Sequence, residues 1–202
     1  MQEDTETLRT EGRMNTVIEP CCYPKQLTHN LEEAEKGGGV SHFFSFSDWS
    51  TDELVPWTLS SVPDCDAVLC LVQIDPRTIY MLSNILRRTY HDRDENVEKH
   101  VVKHLTIITQ ALREEPEKQR YEFRAQLGKY IDEGRVTVCE DNIGFRCIAA
   151  GNGNRHLVIQ GSLNQFHVEP CCQMYTMTTS KQAYDAAMQM LQSKSRTKKL
   201  KL

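Results

Sequence analysis

Apolar residues occur along the chain in two patterns, continuous runs of strand length and stripes with helical spacing. The runs at 66–72 and 101–109 contain enough consecutive apolar residues to predict strands covered on both faces. Helical spacing predicts a helix after the first run and further helices at 116–133 and 180–193. Strands that alternate with helices predict an α/β fold, with a mixed β-sheet flanked by helices.

Further elements complete this predicted fold. Aromatic residues at 40–46 predict a strand, Ser50 is the predicted N-cap of a helix that ends near Ser61, and 136–139 predict another strand. The charged segment 90–99 is expected to be a loop or a helix end. In the 116–133 helix, the residues expected to face the core are Tyr121, Phe123, Leu127, Tyr130 and Ile131, with Gly134 at the C-terminus.

A β-hairpin is predicted from two apolar runs, 145–150 and 155–160, that flank the turn sequence Gly-Asn-Gly-Asn. Asn and Gly tolerate positive φ, which favours a tight turn between strands. The return strand ends at Gly161, followed by Ser162 and Asn164. Glycine permits close backbone approach, while the other two side chains offer a hydroxyl and an amide.

The predicted domain organisation is a flexible N-terminal segment at 1–40, one domain at 41–193 and a basic tail at 194–202. The first segment is polar and ends in three glycines, without the Lys-Ser/Thr that a P-loop requires, so a hinge is expected. The tail carries five of the chain's 24 Lys and Arg residues. The tail is either a weak, salt-sensitive contact with phosphate groups or a solvated terminus. The chain's net charge of −4 implies no extended basic surface that would strengthen such a contact.

Composition narrows the class of protein. A chain of 202 residues is long enough for one domain with a sizeable core. Its apolar runs are shorter than the ~18 residues that span a bilayer, and its start lacks the shape of a signal peptide, so a soluble cytoplasmic protein is expected. The eight cysteines include two vicinal pairs and no Cys-x-x-Cys, which favours reduced thiols over disulfides or a structural zinc site.

Histidine spacing gives little indication of a metal. His100 and His104 are four residues apart, but the zincin pattern requires Glu where Val101 stands, and a strand is expected there. The segment His91 to Glu95 is expected to be a solvated charged loop. No metal and no cofactor is therefore predicted.

The Gly-Ser-x-Asn sequence at the end of the hairpin, with Glu169 after it, resembles the signature of the phospholipase D superfamily. The segment 43–50 and the elements that follow resemble a bacterial group of phospholipase D-like domains, and the likeness covers roughly residues 40–192. It implies a phospholipase D-like sandwich and phosphodiesterase chemistry, in which the His of a His-x-Lys motif attacks phosphorus and the Lys holds phosphate oxygens. It also implies a homodimer, because single-motif chains of the family pair their motifs.

The chain departs from the family at the His-x-Lys motif. An ungapped alignment places the family's His on Gly144 and its Lys on Arg146, and a gapped one places them on Cys147 and Ala149. Neither supplies the histidine, whereas Arg146 can still bind phosphate through its forked donors. The resemblance therefore implies a degenerate domain in which the phosphate-binding residues are Arg146, Ser162 and Asn164, supported by Gly161, His167 and Glu169.

Alternatives remain for individual residues. His156 on the return strand, expected one hairpin width from Arg146, is a weak candidate for a replacement nucleophile, although a histidine on a half-buried strand is more often structural. Alternation along the strand predicts that Cys147 points away from Arg146 into the core. His167 and Glu169 either orient a ligand in the cleft or form a structural hydrogen bond.

Three functions are compatible with these residues. The expected one is a catalytically degenerate domain that binds a phosphodiester, with nucleic acid favoured by the family's nucleases and the basic tail, or a protein partner. The alternative is an active phosphodiesterase or nuclease with a non-standard nucleophile, which the glycine at 144 disfavours. The third is an interaction protein that retains the fold and the dimer interface alone.

Overall fold

The computed structural model describes residues 15–20, 25–37, 39–45, 51–71, 74, 76–109, 116–141, 146–161 and 173–195. Their strands are β1 (Asn15–Pro20), β2 (Val40–Ser45), β3 (Cys65–Leu71), β4 (Thr89–Asp92), β5 (Val97–His100), β6 (Val102–Thr109), β7 (Val136–Glu140), β8 (Cys147–Gly151), β9 (His156–Gly161) and β10 (Gln173–Thr178). Their helices are α1 (Lys25–Lys36), α2 (Thr51–Ser61), α3 (Pro76–Arg87), α4 (Glu117–Asp132) and α5 (Lys181–Ser195).

Eight of the described strands form one mixed sheet in the order β1-β2-β10-β9-β8-β3-β6-β7. Strands β3, β6 and β7 are parallel to one another, and so are β1 and β2 at the other edge. Antiparallel pairing through β10, β9 and β8 joins the two parallel groups. The predicted α/β fold with a mixed sheet and flanking helices is therefore confirmed.

Helices cover both faces of the sheet because successive strand residues point to opposite sides. On β3, Ala67 and Leu69 pack with apolar residues of α1, α2, α3 and α4 in the large core. Val68 and Cys70, the alternate residues, pack on the other face, where Met188 of α5 joins them. The described residues thus form three layers, with four helices on one face and α5 on the other.

Residues 25–37 belong to this fold, so the prediction of a flexible segment over 1–40 is wrong for them. On α1, Leu27, Leu31 and Ala34 are buried at a spacing of four and three residues, which places them on one helical face. The backbone N–H of Gly39 donates to the carbonyl of Ala34, and Gly39 has a φ of +90°. The glycine therefore follows the helix end in the left-handed conformation that glycine favours, instead of forming a hinge.

The charged segment 90–99 forms a separate two-stranded ribbon of β4 and β5, which corrects the predicted loop or helix end. The carboxylate of Asp92 accepts hydrogen bonds from the backbone N–H groups of Asp94 and Glu95 in the connecting turn. Lys99 lies 2.9 Å from Asp92 and 2.7 Å from Glu95. Charged side chains thus close the ribbon locally, and this is why a polar sequence forms paired strands here.

The hairpin of β8 and β9 is present, but its turn differs from the predicted one. Neither Asn152 nor Gly153 has a positive φ. The side-chain oxygen of Asn152 accepts from the backbone N–H groups of Asn154 and Arg155, both at 2.8 Å. Its amide also donates to the carbonyl of Pro63 at 2.7 Å. An Asx-type turn anchored to a neighbouring loop therefore connects the strands.

Helix α4 follows its prediction except at one residue. Phe123 and Leu127 are fully buried and Gly134 has a φ of +73°, as expected for the core face and the helix end. Tyr121 is 74% exposed, so its predicted place in the core is wrong. Two helical residues span 200° of rotation, which points Tyr121 away from the face of Phe123.

None of the described helices has the length and apolar character needed to cross a membrane.

Candidate phosphate-binding site

Three parallel strands end at the same edge of the sheet as the open end of the hairpin. Leu71 of β3 pairs with Thr109 of β6, which pairs with Glu140 of β7. On the other side of β3, Cys70 pairs with Cys147, the first residue of β8. Ligands of open α/β sheets bind outside the carboxyl ends of the strands. This edge is therefore the candidate functional site.

Arg146 and Gly161 meet at this edge. Arg146 directly precedes β8 and is half-buried, and its carbonyl accepts a hydrogen bond from the backbone N–H of Gly161 at 3.5 Å. Gly161 is the last residue of β9 and lies opposite the buried Tyr175 of β10. The hairpin thus brings Arg146 beside Gly161, the first residue of the Gly-Ser-x-Asn sequence.

The other predicted site residues lie outside the described residues. These are Ser162, Asn164, His167 and Glu169, together with Gly144. Their roles remain predictions. Sequence reasoning did not assign β10, so it missed Tyr175, although the alternation of Tyr175 and Met177 carried a strand signal.

His156 lies at the opposite end of the hairpin, which corrects its predicted position one hairpin width from Arg146. It pairs with Gly151, five residues from Arg146 along the strand, a separation of about 17 Å. Its ring lies 5.0 Å from the ring of Tyr184 on α5. The register of the hairpin therefore gives His156 a packing role beside α5 and keeps it away from the candidate site.

Cys147 is buried on the α5 face of the sheet, together with Cys70 and Cys139. The prediction of a core cysteine is confirmed. Cys65 lies on the other face, and burial raises the pKa of its thiol to about 12. None of the four described cysteines forms a disulfide, and the remaining four lie outside the described residues.

The acidic residues at this edge lie at the end of β7, three strands away from Arg146 and β8. Glu140 ends β7 and Asp141 follows it, with the N–H of Asp141 donating to the carbonyl of Thr109 at 3.0 Å. Three strand spacings separate β7 from β8, a distance of about 14 Å. Glu140 and Asp141 therefore lie at the end of a strand that is not adjacent to the hairpin.

No group of three or more His, Cys, Asp or Glu residues is placed to hold a metal ion within the described ranges. His100 and His104 lie on different strands, β5 and β6. Nε2 of His104 lies 3.1 Å from Oγ1 of Thr137. The expected strand is thus present, and this histidine has a hydroxyl partner on the neighbouring strand.

Solved structures share this architecture. The chain superposes on the phosphatidylserine synthase of Haemophilus influenzae, a phospholipase D family member, with a TM-score of 0.52 and 15% sequence identity. The superposition covers 84% of this chain and 45% of the synthase. The chain has a phospholipase D-like fold.

Two further structures are similar to this phospholipase D-like chain. The polyphosphate kinase of Porphyromonas gingivalis has a TM-score of 0.55 at 10% identity, covering 91% of this chain and 30% of the kinase. Nuc of Salmonella typhimurium, a phospholipase D family member, has a TM-score of 0.47 at 13% identity, covering 78% of this chain and 93% of Nuc. No protein-family model and no curated protein sequence matches the chain. The likeness establishes the fold, and this chain spans less than half of the synthase and of the kinase.

Proposed function

We propose that this chain is a catalytically degenerate phospholipase D-like domain that binds a phosphodiester, with nucleic acid as the ligand class. The phosphate-binding residues are Arg146, Ser162 and Asn164. The observation that carries the proposal is the contact of Arg146 with Gly161 at the carboxyl edge of the parallel strands. It supports a site in which a guanidinium and the Gly-Ser-x-Asn segment act on one ligand.

Each residue of the site offers a group that suits a phosphodiester. The guanidinium of Arg146 donates two parallel hydrogen bonds to the non-bridging oxygens of one phosphate. The hydroxyl of Ser162 and the amide of Asn164 donate to the remaining acceptors. Gly161 has no side chain to separate the end of β9 from Arg146, and His167 and Glu169 orient the ligand.

The three positions considered for a nucleophile, at 144, 147 and 156, support a binding function over a catalytic one. Attack on phosphorus requires an atom about 3–3.5 Å from it. Gly144 has no side chain, the thiol of Cys147 is buried on the α5 face, and His156 lies about 17 Å along the hairpin. An active phosphodiesterase would need a nucleophile from another part of the chain or from another chain.

The basic tail and self-association extend the proposal. Lys and Arg residues of the tail 194–202 add sequence-independent contacts to the phosphate backbone of a nucleic acid. Two copies that pair across the Gly-Ser-x-Asn cleft would bring two Arg146 residues to one ligand. A protein partner is the competing ligand class.

The first test combines turnover with binding. We expect no hydrolysis of bis-para-nitrophenyl phosphate, and salt-sensitive binding of a labelled single-stranded oligonucleotide at about 50 mM and about 200 mM salt. Arg146→Gln should weaken binding about tenfold, because it removes a charge-assisted pair of hydrogen bonds. Fluorescence anisotropy measures the affinity.

Arg93→Gln is the matched control. Arg93 is exposed in the turn of the β4–β5 ribbon, and its replacement removes the same charge away from the site. An equal loss of affinity in both variants would show non-specific electrostatic attraction and contradict the proposed site. If the wild-type chain hydrolyses the substrate and Arg146→Gln does not, the proposal that the domain is catalytically degenerate is contradicted. If the wild-type chain does not bind the oligonucleotide, nucleic acid as the ligand class is contradicted.

A further inference from the structure

Three cysteines lie in one row across the α5 face of the sheet. Cys147 of β8 pairs with Cys70 of β3, which pairs with Ile108 of β6, which in turn pairs with Cys139 of β7. These residues form one buried apolar cluster with Val68, and Met188 of α5 packs against it. The row lies at the carboxyl edge of the parallel strands, and Cys147 directly follows Arg146.

The separation of Cys70 and Cys147 suits a disulfide. Directly opposed residues of antiparallel strands have Cα atoms about 4.5 or about 5.5 Å apart. Both values lie within the range of about 4.4 to 6.8 Å that disulfides span. Their Cβ atoms, normally about 4.5 to 5.5 Å apart, must approach slightly, which makes the bond strained and easily reduced.

The other described cysteines cannot join this pair. Two strand spacings separate Cys139 from Cys70, and Cα atoms about 10 Å apart cannot be bridged. Cys65 lies on β3 like Cys70, but its side chain packs in the cluster on the opposite face of the sheet. Its thiol donates to the carbonyl of Val101 at 3.7 Å. Cys70 and Cys147 are therefore the pair that the sheet places together among the described residues.

We propose that Cys70 and Cys147 form a reversible disulfide when the chain meets a small peroxide, covalently joining β3 to β8 beside the candidate site. One thiolate attacks hydrogen peroxide, giving a sulfenic acid and hydroxide. The second thiol attacks the sulfenic sulfur, forming the S–S bond and releasing water, while the hydroxide takes up the proton of the first thiol. Two thiols and one peroxide thus give one disulfide and two waters.

Access to the pair depends on its place in the sheet. Both residues are almost fully buried, with Cys70 0% and Cys147 1% exposed. Cys147 is the first residue of β8, however, and strand ends open locally more easily than strand centres. A peroxide molecule is small enough to enter through such an opening, whereas a bulky alkylating reagent is not. The expected signature is therefore oxidation by peroxide at a position that resists alkylation in the folded chain.

Peptide mapping after peroxide treatment tests the proposal. The folded chain is treated with hydrogen peroxide, its remaining thiols are alkylated in denaturant, and it is digested with trypsin without reduction. Trypsin releases Cys147 in the peptide 147–155 and Cys70 in the peptide 37–77, which also contains Cys65. We expect these two peptides to be joined, and dithiothreitol to separate them.

Alanine variants identify the partner within the shared peptide. The joined species should disappear in Cys70→Ala and persist in Cys65→Ala and Cys139→Ala, with circular dichroism showing that each variant folds. If the joined species disappears in Cys65→Ala and persists in Cys70→Ala, the proposal is overturned. It is also overturned if the peptides 147–155 and 37–77 stay separate after peroxide has oxidised the chain's other thiols.

Discussion

Gly151 is the last residue of β8, and it lies directly beneath the ring of Tyr184 on α5. A Cβ atom at Gly151 would stand 2.5 Å from Cζ of that ring, well inside van der Waals contact. The ring cannot easily move, because its hydroxyl donates to the carbonyl of Asp66 at 3.0 Å and His156 packs beside it. Glycine is therefore required here because α5 approaches the sheet closely. The backbone φ of Gly151 does not itself require glycine.

A substitution at this position should be costly. We expect Gly151→Ala to lower the free energy of unfolding by about 2 kcal/mol, because the added methyl group overpacks a fixed ring. Gly153→Ala, where a Cβ would meet nothing within 4 Å, should change it by less than about 0.5 kcal/mol. Urea denaturation measures both, and equal effects would show that Tyr184 yields freely.

The residue scale also shows where sequence reasoning about the site was limited. Arg146 was predicted as a phosphate-binding residue from motif position alone, and the structure brings it to Gly161. His156 was a weak candidate nucleophile because it was expected opposite Arg146 on the return strand, but its place depends on the hairpin register, which the turn determines. A motif identifies residue types, while the paired strands decide which of them can meet.

Among the elements, α1 connects sequence-distant parts of the described chain. Its Glu35 receives hydrogen bonds from the guanidinium of Arg155 in the β8–β9 turn, with the Nε donor at 2.9 Å. The same guanidinium donates to the carbonyl of Ser61 at the end of α2 at 3.1 Å. One arginine therefore links the hairpin turn to two helices, and the buried face of α1 completes the attachment.

Truncation on the buried face of α1 tests its part in the fold. We expect Leu27→Ala to lower the free energy of unfolding by about 3 kcal/mol, because the side chain is fully buried and its removal leaves a cavity. His29→Ala on the exposed face should have an effect below about 0.5 kcal/mol. Thermal or urea unfolding measures the difference, and two equally small effects would show that α1 contributes little to stability.

Local pattern identified some elements better than others, for physical reasons. Strand β3 and helix α3 carry long apolar signals, so both were predicted. Helix α1 places just three small or aliphatic residues, Leu27, Leu31 and Ala34, in a polar sequence, and the burial of this weak stripe depends on the core beneath it. The β4–β5 ribbon forms through local charge pairs, which charge content alone could not distinguish from a loop.

At the scale of the whole molecule, the buried Cys65 and the half-buried Tyr184, on opposite faces of the sheet, couple stability to alkaline pH. Burial raises the pKa of Cys65 from 9.0 to about 12, and burial together with nearby Asp66 raises the pKa of Tyr184 from 10.0 to about 12. Above pH 9 the unfolded chain releases protons that the folded chain retains. The free energy of unfolding must therefore fall as pH rises from 9 to 12.

Removing one of these groups should make the free energy of unfolding less dependent on pH. Each group contributes at most about 1.4 kcal/mol per pH unit between its unfolded and folded pKa values. We expect Cys65→Ala to lose stability more slowly than the wild type between pH 9 and pH 10, because in the unfolded chain Cys65, with its lower ordinary pKa, ionises before most of Tyr184 does. Urea denaturation across this range measures the slope, and identical slopes would show that Cys65 is not protected from ionisation.

The amino-acid sequence by itself determined the alternation of strands and helices, the mixed α/β class and the presence of a hairpin that ends in Gly-Ser-x-Asn, because these follow from hydrophobic period and turn residues close together in the chain. The tertiary structure alone decided strand order, the burial of α1, the pairing of Cys70 with Cys147 and the distance of His156 from Arg146. Those features depend on contacts between residues far apart in sequence, which local patterns do not specify.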